Sequence, residues 1–238
     1  MIRVLLWDID GTLLDFAAAE RRALTDCFGK FDLGACSDEM LARYSALNTV
    51  YWQRLERGEL TRRQVQLGRF QEFFAREGIS FSRYEDFNLA FQQVLGETVV
   101  FRDGADSLVQ ELRGRVRQYA ATNGNLPVQL RKLEKSGLNR LLDGAFISEQ
   151  VGSEKPSPLF FDRVFAALGK IPRDQVMIVG DSPTSDMQGG NNAGIRCCWY
   201  NPSGAPAPGS LRLDYVISSL SQVRDILAEE GDRAQSLL

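Results

Sequence analysis

Histidine is absent from the 238 residues. That absence excludes Ser-His-Asp hydrolysis, Cys-His nucleophiles, phosphohistidine chemistry and His-ligated zinc together. If the chain is an enzyme, carboxylates, lysine, threonine and hard cations must carry its chemistry. Cysteine is sparse. Cys27, Cys36, Cys197 and Cys198 make no C-x-x-C pair and two are adjacent, so neither a zinc knuckle nor a dense disulfide frame fits. Reduced, mostly buried thiols of a cytoplasmic protein are expected. No apolar run is long enough to span a membrane, and the chain reaches Asp8 too soon for a signal peptide. Nor is there a basic surplus: a net charge of −3 gives no ground for wrapping a nucleic acid polymer. Arginine dominates the cations and lysine is scarce, which draws attention to Lys155 in "SEKPSP".

What is present begins with "VLLWDIDGTLLDF", Val4 to Phe16. An apolar, β-rich run stops at two acids one residue apart, as a buried strand ending in a turn would. A buried carboxylate is costly unless it is paired, hydrogen-bonded or bound to a metal. From about Phe16 to Gly96 apolar residues recur at three- and four-residue spacing. Ser37 and Thr61 read as N-caps and Gly58 and Gly78 as stops, giving about four helices with no strand between them. Beyond them strands and helices alternate: "RVRQYAATNG", "GAFIS", "DQVMIVGDS", "IRCCWYN" and "DYVISSL" read as strands, "TSDMQGGNNAG" as one of the helices. The expected fold is α/β, a doubly wound parallel Rossmann-like sheet made by residues 1–15 and 97–238. Residues 16–96 would be an inserted all-helical domain.

In open α/β sheets ligands bind beyond the carboxyl ends of the strands. Those ends carry Asp8 and Asp10, then Thr122, Asn123 and Gly124, then Lys155, then Asp181 and Asp186. Asp8, Asp181 and Asp186 can form an oxygen-only pocket of the kind that suits Mg²⁺. Asp10 lies on the same side as Asp8 if the chain stays extended, so one can be a nucleophile while the other handles protons. Lys155 would neutralise Asp8 and an incoming anion. The Thr122 hydroxyl, the Asn123 amide and the turn N–H groups can hold phosphate oxygens. Singly, each is an ordinary turn or loop residue. Jointly, at successive strand ends, they point to phosphoryl transfer.

At these residues the sequence resembles the haloacid dehalogenase-like hydrolase superfamily, with "DIDGT", "TNG", Lys155 and "GDSPTSD" as its four motifs. The resemblance implies that Asp8 attacks phosphorus and becomes an aspartyl-phosphate. Asp10 would protonate the leaving oxygen and then activate water, with Thr12 orienting it. Mg²⁺ would sit on the Asp8 side chain, the Asp10 main-chain carbonyl and Asp181, supported by Asp186. Thr122, Asn123 and Lys155 would hold the phosphoryl group. Asp10 favours phosphoester hydrolysis over dehalogenation, which needs no second acid there. The helical insertion looks like a C1 cap. Its stretch Leu47–Phe70 is similar to the noncanonical pyrimidine nucleotidase branch at Asn48, Trp52, "GELT" and Arg69-Phe70.

Asn48 and Trp52 share one helix face, so Trp52 could stack on a base and Asn48 bond its edge. An aromatic at helical spacing is more often a packing residue. Arg69 could bind phosphate or ribose, Phe70, Phe73 and Phe74 read as core, and Arg62-Arg63 as a solvated face. Asp103 stands where many family members have Pro. The leading expectation is a Mg²⁺-dependent phosphatase of small phosphomonoesters, foremost nucleoside 5′-monophosphates. The alternatives are a phosphatase or mutase for phosphoglycolate or a sugar phosphate, and a catalytically idle binding module.

Overall fold

The computed structural model describes residues 1–235. β1 (Val4–Trp7), β2 (Arg117–Thr122), β3 (Gly144–Ile147), β4 (Val176–Gly180), β5 (Arg196–Tyr200) and β6 (Tyr215–Ile217) form one parallel sheet in the order 3-2-1-4-5-6. The order reverses at β1, which opens a crevice beyond the ends of β1 and β4. Side chains of β1 alternate between two clusters. Leu5 and Trp7 pack with Val109, Leu112, Met177 and Val179, while Val4 and Leu6 pack with Phe160, Phe161, Val164 and Ile178. Both faces are covered, so the strand reads as an unbroken apolar run rather than an alternation. The polar exception is answered: Trp7 Nε1 donates to Gln118 Oε1 at 3.1 Å, and Gln118 Nε2 to the Val109 carbonyl at 2.9 Å.

Between β1 and β2 the chain forms α1 (Phe16–Lys30), α2 (Asp38–Glu56), α3 (Arg62–Arg76) and α4 (Tyr84–Glu97). Local chemistry sets their ends. Ser37 Oγ accepts from Met40 N, and Thr61 with Gln64 makes a reciprocal capping box. Gly58 and Gly78 follow the last turns of α2 and α3. The four helices bury an aromatic cluster of their own, including Phe28, Tyr44, Phe70, Phe73, Phe74, Phe87 and Phe91. Phe70 meets Phe87 edge-on at 4.9 Å and stacks on Tyr44 at 5.4 Å between ring centroids.

The remaining helices flank the sheet: α5 (Ala105–Leu112), α6 (Leu126–Ser136), α7 (Leu138–Leu141), α8 (Ser148–Val151), α9 (Pro158–Leu168), α10 (Gln188–Ala193) and α11 (Gln222–Gln235). The single-turn α7 and α8 are too short to leave a periodic signal in the sequence. The helix expected over "TSDMQGGNNAG" is two pieces, a π-helical turn at Pro183–Met187 feeding α10. Wide turns of this kind gather at functional sites.

The two connections to the helical insert run side by side. Asp15 N donates to the Val100 carbonyl at 2.8 Å and Arg102 N to the Leu13 carbonyl at 3.0 Å, with an antiparallel bridge between Leu14 and Phe101. Asp103, at φ 46°, accepts from Leu220 N through Oδ2 at 2.5 Å, which fastens the return connection to the start of the last helical segment. α4 also packs on α6 of the sheet layer.

Candidate active site

β1 delivers Asp8 to the crevice, its N–H bonded to the Val179 carbonyl at 2.9 Å. The chain does not then stay extended. Leu14 N closes on the Ile9 carbonyl at 2.8 Å and Gly11 N on the Leu14 carbonyl at 2.9 Å, a tight turn with Gly11 at φ 100°. Only glycine adopts that conformation readily, and a Cβ there would strike the Asp181 carboxylate. The turn still leaves Asp8 and Asp10 on the wall of one cavity of about 450 Å³ between sheet and insert. Thr122, Asn123, Lys155, Asp181 and Asp186 share that wall.

Lys155 stands at the centre. Its Nζ donates to Asp8 Oδ1 at 2.8 Å, the Ala121 carbonyl at 2.6 Å and Asp186 Oδ1 at 2.5 Å. The ammonium is buried, and although burial alone would lower its pKa, Asp186 and Asp8 outweigh it and hold the group charged. The acids outnumber it. Burial pushes Asp8 well above the usual carboxylate range against the pull of Lys155, with Asp186 and Asp181 adding to the push. Burial and Asp186 raise Asp181 to about 6, against a hydrogen bond from Thr12. One ammonium therefore answers three carboxylates, whose nearest oxygens lie within 4.8 Å of one another. That surplus of close, buried oxygens with no nitrogen or sulfur among them fits a hard divalent cation. Gly180 makes the crowding possible, since a Cβ there would fall on the Asp186 carboxylate.

Three placements correct the sequence reading. The Thr12 hydroxyl donates to Asp181 Oδ1 at 3.2 Å, so it orients Asp181 and not Asp10. Asp10 is held from α6 instead: Gln129 Nε2 donates to its Oδ2 at 2.6 Å, and Lys132 Nζ pairs with its Oδ1. The Asn123 amide is committed within the protein. Its Oδ1 accepts from Lys155 N at 2.8 Å, and its Nδ2 donates to the Lys155 carbonyl at 2.8 Å and to Ser185 Oγ at 3.2 Å. It braces the Lys155 segment rather than offering itself to an anion. Thr122 Oγ1, buried at the end of β2, accepts from Gly124 N at 3.1 Å.

From the insert, Asn48 and Arg69 line the cavity but are tied to each other. Asn48 Nδ2 donates to Glu20 Oε1 at 2.7 Å and Arg69 Nη1 to Asn48 Oδ1 at 2.8 Å. Trp52 lies half-buried on the same wall, with the Arg62 guanidinium 5.8 Å from its ring centroid. Arg62 is not on a solvated face. It donates to the Asn123 carbonyl at 2.9 Å and Ser148 Oγ at 2.7 Å, and pairs with Glu154 at 3.0 Å and Glu149 at 3.4 Å. Glu56 meets the opposite loop, accepting from Thr184 Oγ1 at 2.8 Å, and burial lifts its carboxyl to about 7. Lys132, Gln129 and Glu56 left no mark in the sequence, and Arg62 read as half of a solvated pair. Each is a polar residue on a helix rich in polar residues, and only the packing of insert on sheet turns it inward.

A family model described as haloacid dehalogenase-like hydrolase matches residues 2–194. The chain is 34% identical over 234 residues to the pyrimidine 5′-nucleotidase PynA of Streptococcus pneumoniae, covering 94% of each. It is 33% identical to the pyrimidine 5′-nucleotidase YjjG of Escherichia coli, over 78% of this chain and 81% of the relative. Among solved structures, the magnesium-bound HAD-hydrolase YfnB of Bacillus subtilis superposes with a TM-score of 0.88 at 32% identity. The match covers 95% of this chain and 98% of that one, and the structure is described as revealing interdomain movement. Sheet order, strand-end acids and these likenesses agree, and the chain belongs to the haloacid dehalogenase-like hydrolases.

Proposed function

We propose that the chain is a Mg²⁺-dependent phosphatase of small phosphomonoesters, with nucleoside 5′-monophosphates as its substrates and pyrimidine nucleotides foremost among them. The observation that carries this reading is the gathering of Asp8, Asp181 and Asp186 around Lys155, with Asp10 on the same cavity wall. Asp8 attacks phosphorus: its Oδ–P bond forms, the bond to the leaving oxygen breaks, and Asp10 gives that oxygen a proton. A water then attacks the aspartyl-phosphate, Asp10 takes its proton, and Asp8 is released. Lys155 and Thr122 face the charge of the transferring group. The Asp8 and Asp181 carboxylates and the Asp10 main-chain carbonyl would hold Mg²⁺, with Asp186 supporting them. When bound, the ion supplies the positive charge that this acid-rich pocket lacks. The helical insert serves as the cap, closing the cavity against bulk water. Four free cysteines suit the reducing cytoplasm as the place of action.

The nucleotide assignment draws on the named activities of two relatives and on Trp52, a flat ring on the cap side of the cavity. Phosphate release from a panel of nucleoside monophosphates and simple monoesters, with Mg²⁺ and with chelator, tests the reading. Release should require Mg²⁺, and Asp8→Asn should lower it on the order of 10³-fold or more. Turnover surviving in that variant rejects the assigned nucleophile. Trp52→Ala should weaken nucleotide turnover about tenfold or more while costing an aryl phosphate less. Equal losses would return Trp52 to packing alone.

A further inference from the structure

The cavity wall carries one carboxylate that the proposed reaction leaves unused. Glu56 is the last residue of α2 and the only acid that the insert brings to this wall among the described residues. It sits beside the loop that carries Asp181 and Asp186, bonded there by Thr184 Oγ1 through Oε2. Three cations line the same cavity, and two of them are paired with acids. Lys155 faces Asp8 and Asp186, Lys132 faces Asp10, and Arg69 is held by the neutral side-chain amides of Asn48 and Asn88 with its buried Nε unbonded. Glu56 makes no ion pair among the described residues, though the charges of Lys155 and Arg57 bear on it. The part of the cavity next to the reacting centre therefore presents an acid that is held by a hydroxyl and not by a cation.

We propose that Glu56 selects the leaving group, accepting hydrogen bonds from the hydroxyls of a neutral polyhydroxylated alcohol and repelling one that bears a carboxylate. The proposal rests on the phosphatase reading above and adds to it the chemical class of alcohol released. A carboxylate offers about four acceptor positions, and Thr184 uses one, so acceptors remain for a sugar diol. A carboxylate on the substrate would be buried against a like charge, which costs more than an uncharged contact gains. The site thereby favours ribose-bearing esters over phosphoglycolate-like ones.

The test is the ratio of kcat/KM for uridine 5′-monophosphate to that for 3-phosphoglycerate, measured at pH 8 with Mg²⁺ in wild type, Glu56→Gln and Glu56→Asp. Glu56→Gln keeps shape and removes charge, and should lower the ratio about tenfold or more. Glu56→Asp keeps the charge and should hold the ratio within about threefold of wild type. A ratio unmoved by Glu56→Gln, or lost equally in both variants, overturns the assignment. p-Nitrophenyl phosphate is assayed in parallel with wild type. Wild type that releases phosphate from none of the three esters overturns the phosphatase reading and this proposal with it. Wild type that hydrolyses p-nitrophenyl phosphate, with an unmoved ratio in Glu56→Gln, overturns only this proposal.

Discussion

Asp10 is held by Gln129 at 2.6 Å and by the buried Lys132, whose Nζ also lies 5.4 Å from the centroid of the Phe16 ring. Two donors on one carboxylate fix its direction, and a proton donor must be aimed to be useful. Lys132 is thus a positioning residue. Lys132→Met should lower kcat/KM for a nucleotide about 10²-fold and for p-nitrophenyl phosphate far less, because only the alkoxide needs a proton as it leaves. Equal losses with the two substrates would make the pair purely structural. At this scale the sequence was legible where residues announce a strand end. Asp8, Asp10, Lys155, Asp181 and Asp186 all share the cavity that their positions anticipate. It was silent where a helix turns one of many polar side chains inward, as at Lys132 within "RKLEKSG". It misled where a side chain has two plausible partners, as at Thr12 and Asn123.

The turn between α2 and α3 is pinned on both sides of the crevice. Arg62 reaches the loops after β2 and β3, and Glu56 reaches the loop after β4. Arg62 also donates to the carbonyl of Asn123, the residue whose amide braces Lys155. The position of the insert and that of Lys155 are therefore mechanically joined. Arg62→Ala should raise KM and lower kcat, together about tenfold or more, and Arg62→Lys should recover little because it cannot fork between partners. Steady-state kinetics on both variants checks this. Gly180→Ala is the matching test on the sheet side. Its Cβ would displace Asp186. The Mg²⁺ concentration for half-maximal activity should rise about tenfold or more, on the order expected for disturbing a partner of metal ligands. Helix ends were legible at Ser37, Thr61, Gly58 and Gly78 because capping is local chemistry. The π-helical turn at Pro183–Met187 was not, because its shape follows from packing Asp186 under Lys155.

Over the whole molecule, buried acids outnumber their cations at the join of sheet and insert. Glu56 rises from 4.5 to about 7 and Asp181 from 3.8 to about 6, both chiefly through burial. In each case the folded state holds a proton that the unfolded chain has given up. The contribution of these two carboxyls to metal-free stability therefore falls as pH climbs from about 4 to about 7, and the loss persists above that. A cation that binds the folded site competes with those protons. Thermal unfolding with and without Mg²⁺ should show the larger rise in Tm at pH 8 and a smaller one at pH 5. A rise that is equal at both pH values would separate the cation from these carboxyls. The parallel sheet was legible at this scale because alternating strands and helices admit few arrangements. How the insert sits on it was not, because that geometry rests on Arg62, Glu56 and the contact of α4 with α6.

The paired connections carry one more consequence. The chain leaves for α1 and comes back from α4 through a single doorway, where Asp15 and Val100 share a hydrogen bond. Everything between them is a loop closed at its own neck, with an aromatic interior of its own. Such a segment can be exchanged for another without re-threading the sheet, so the strand ends can keep their residues while the wall facing them is replaced.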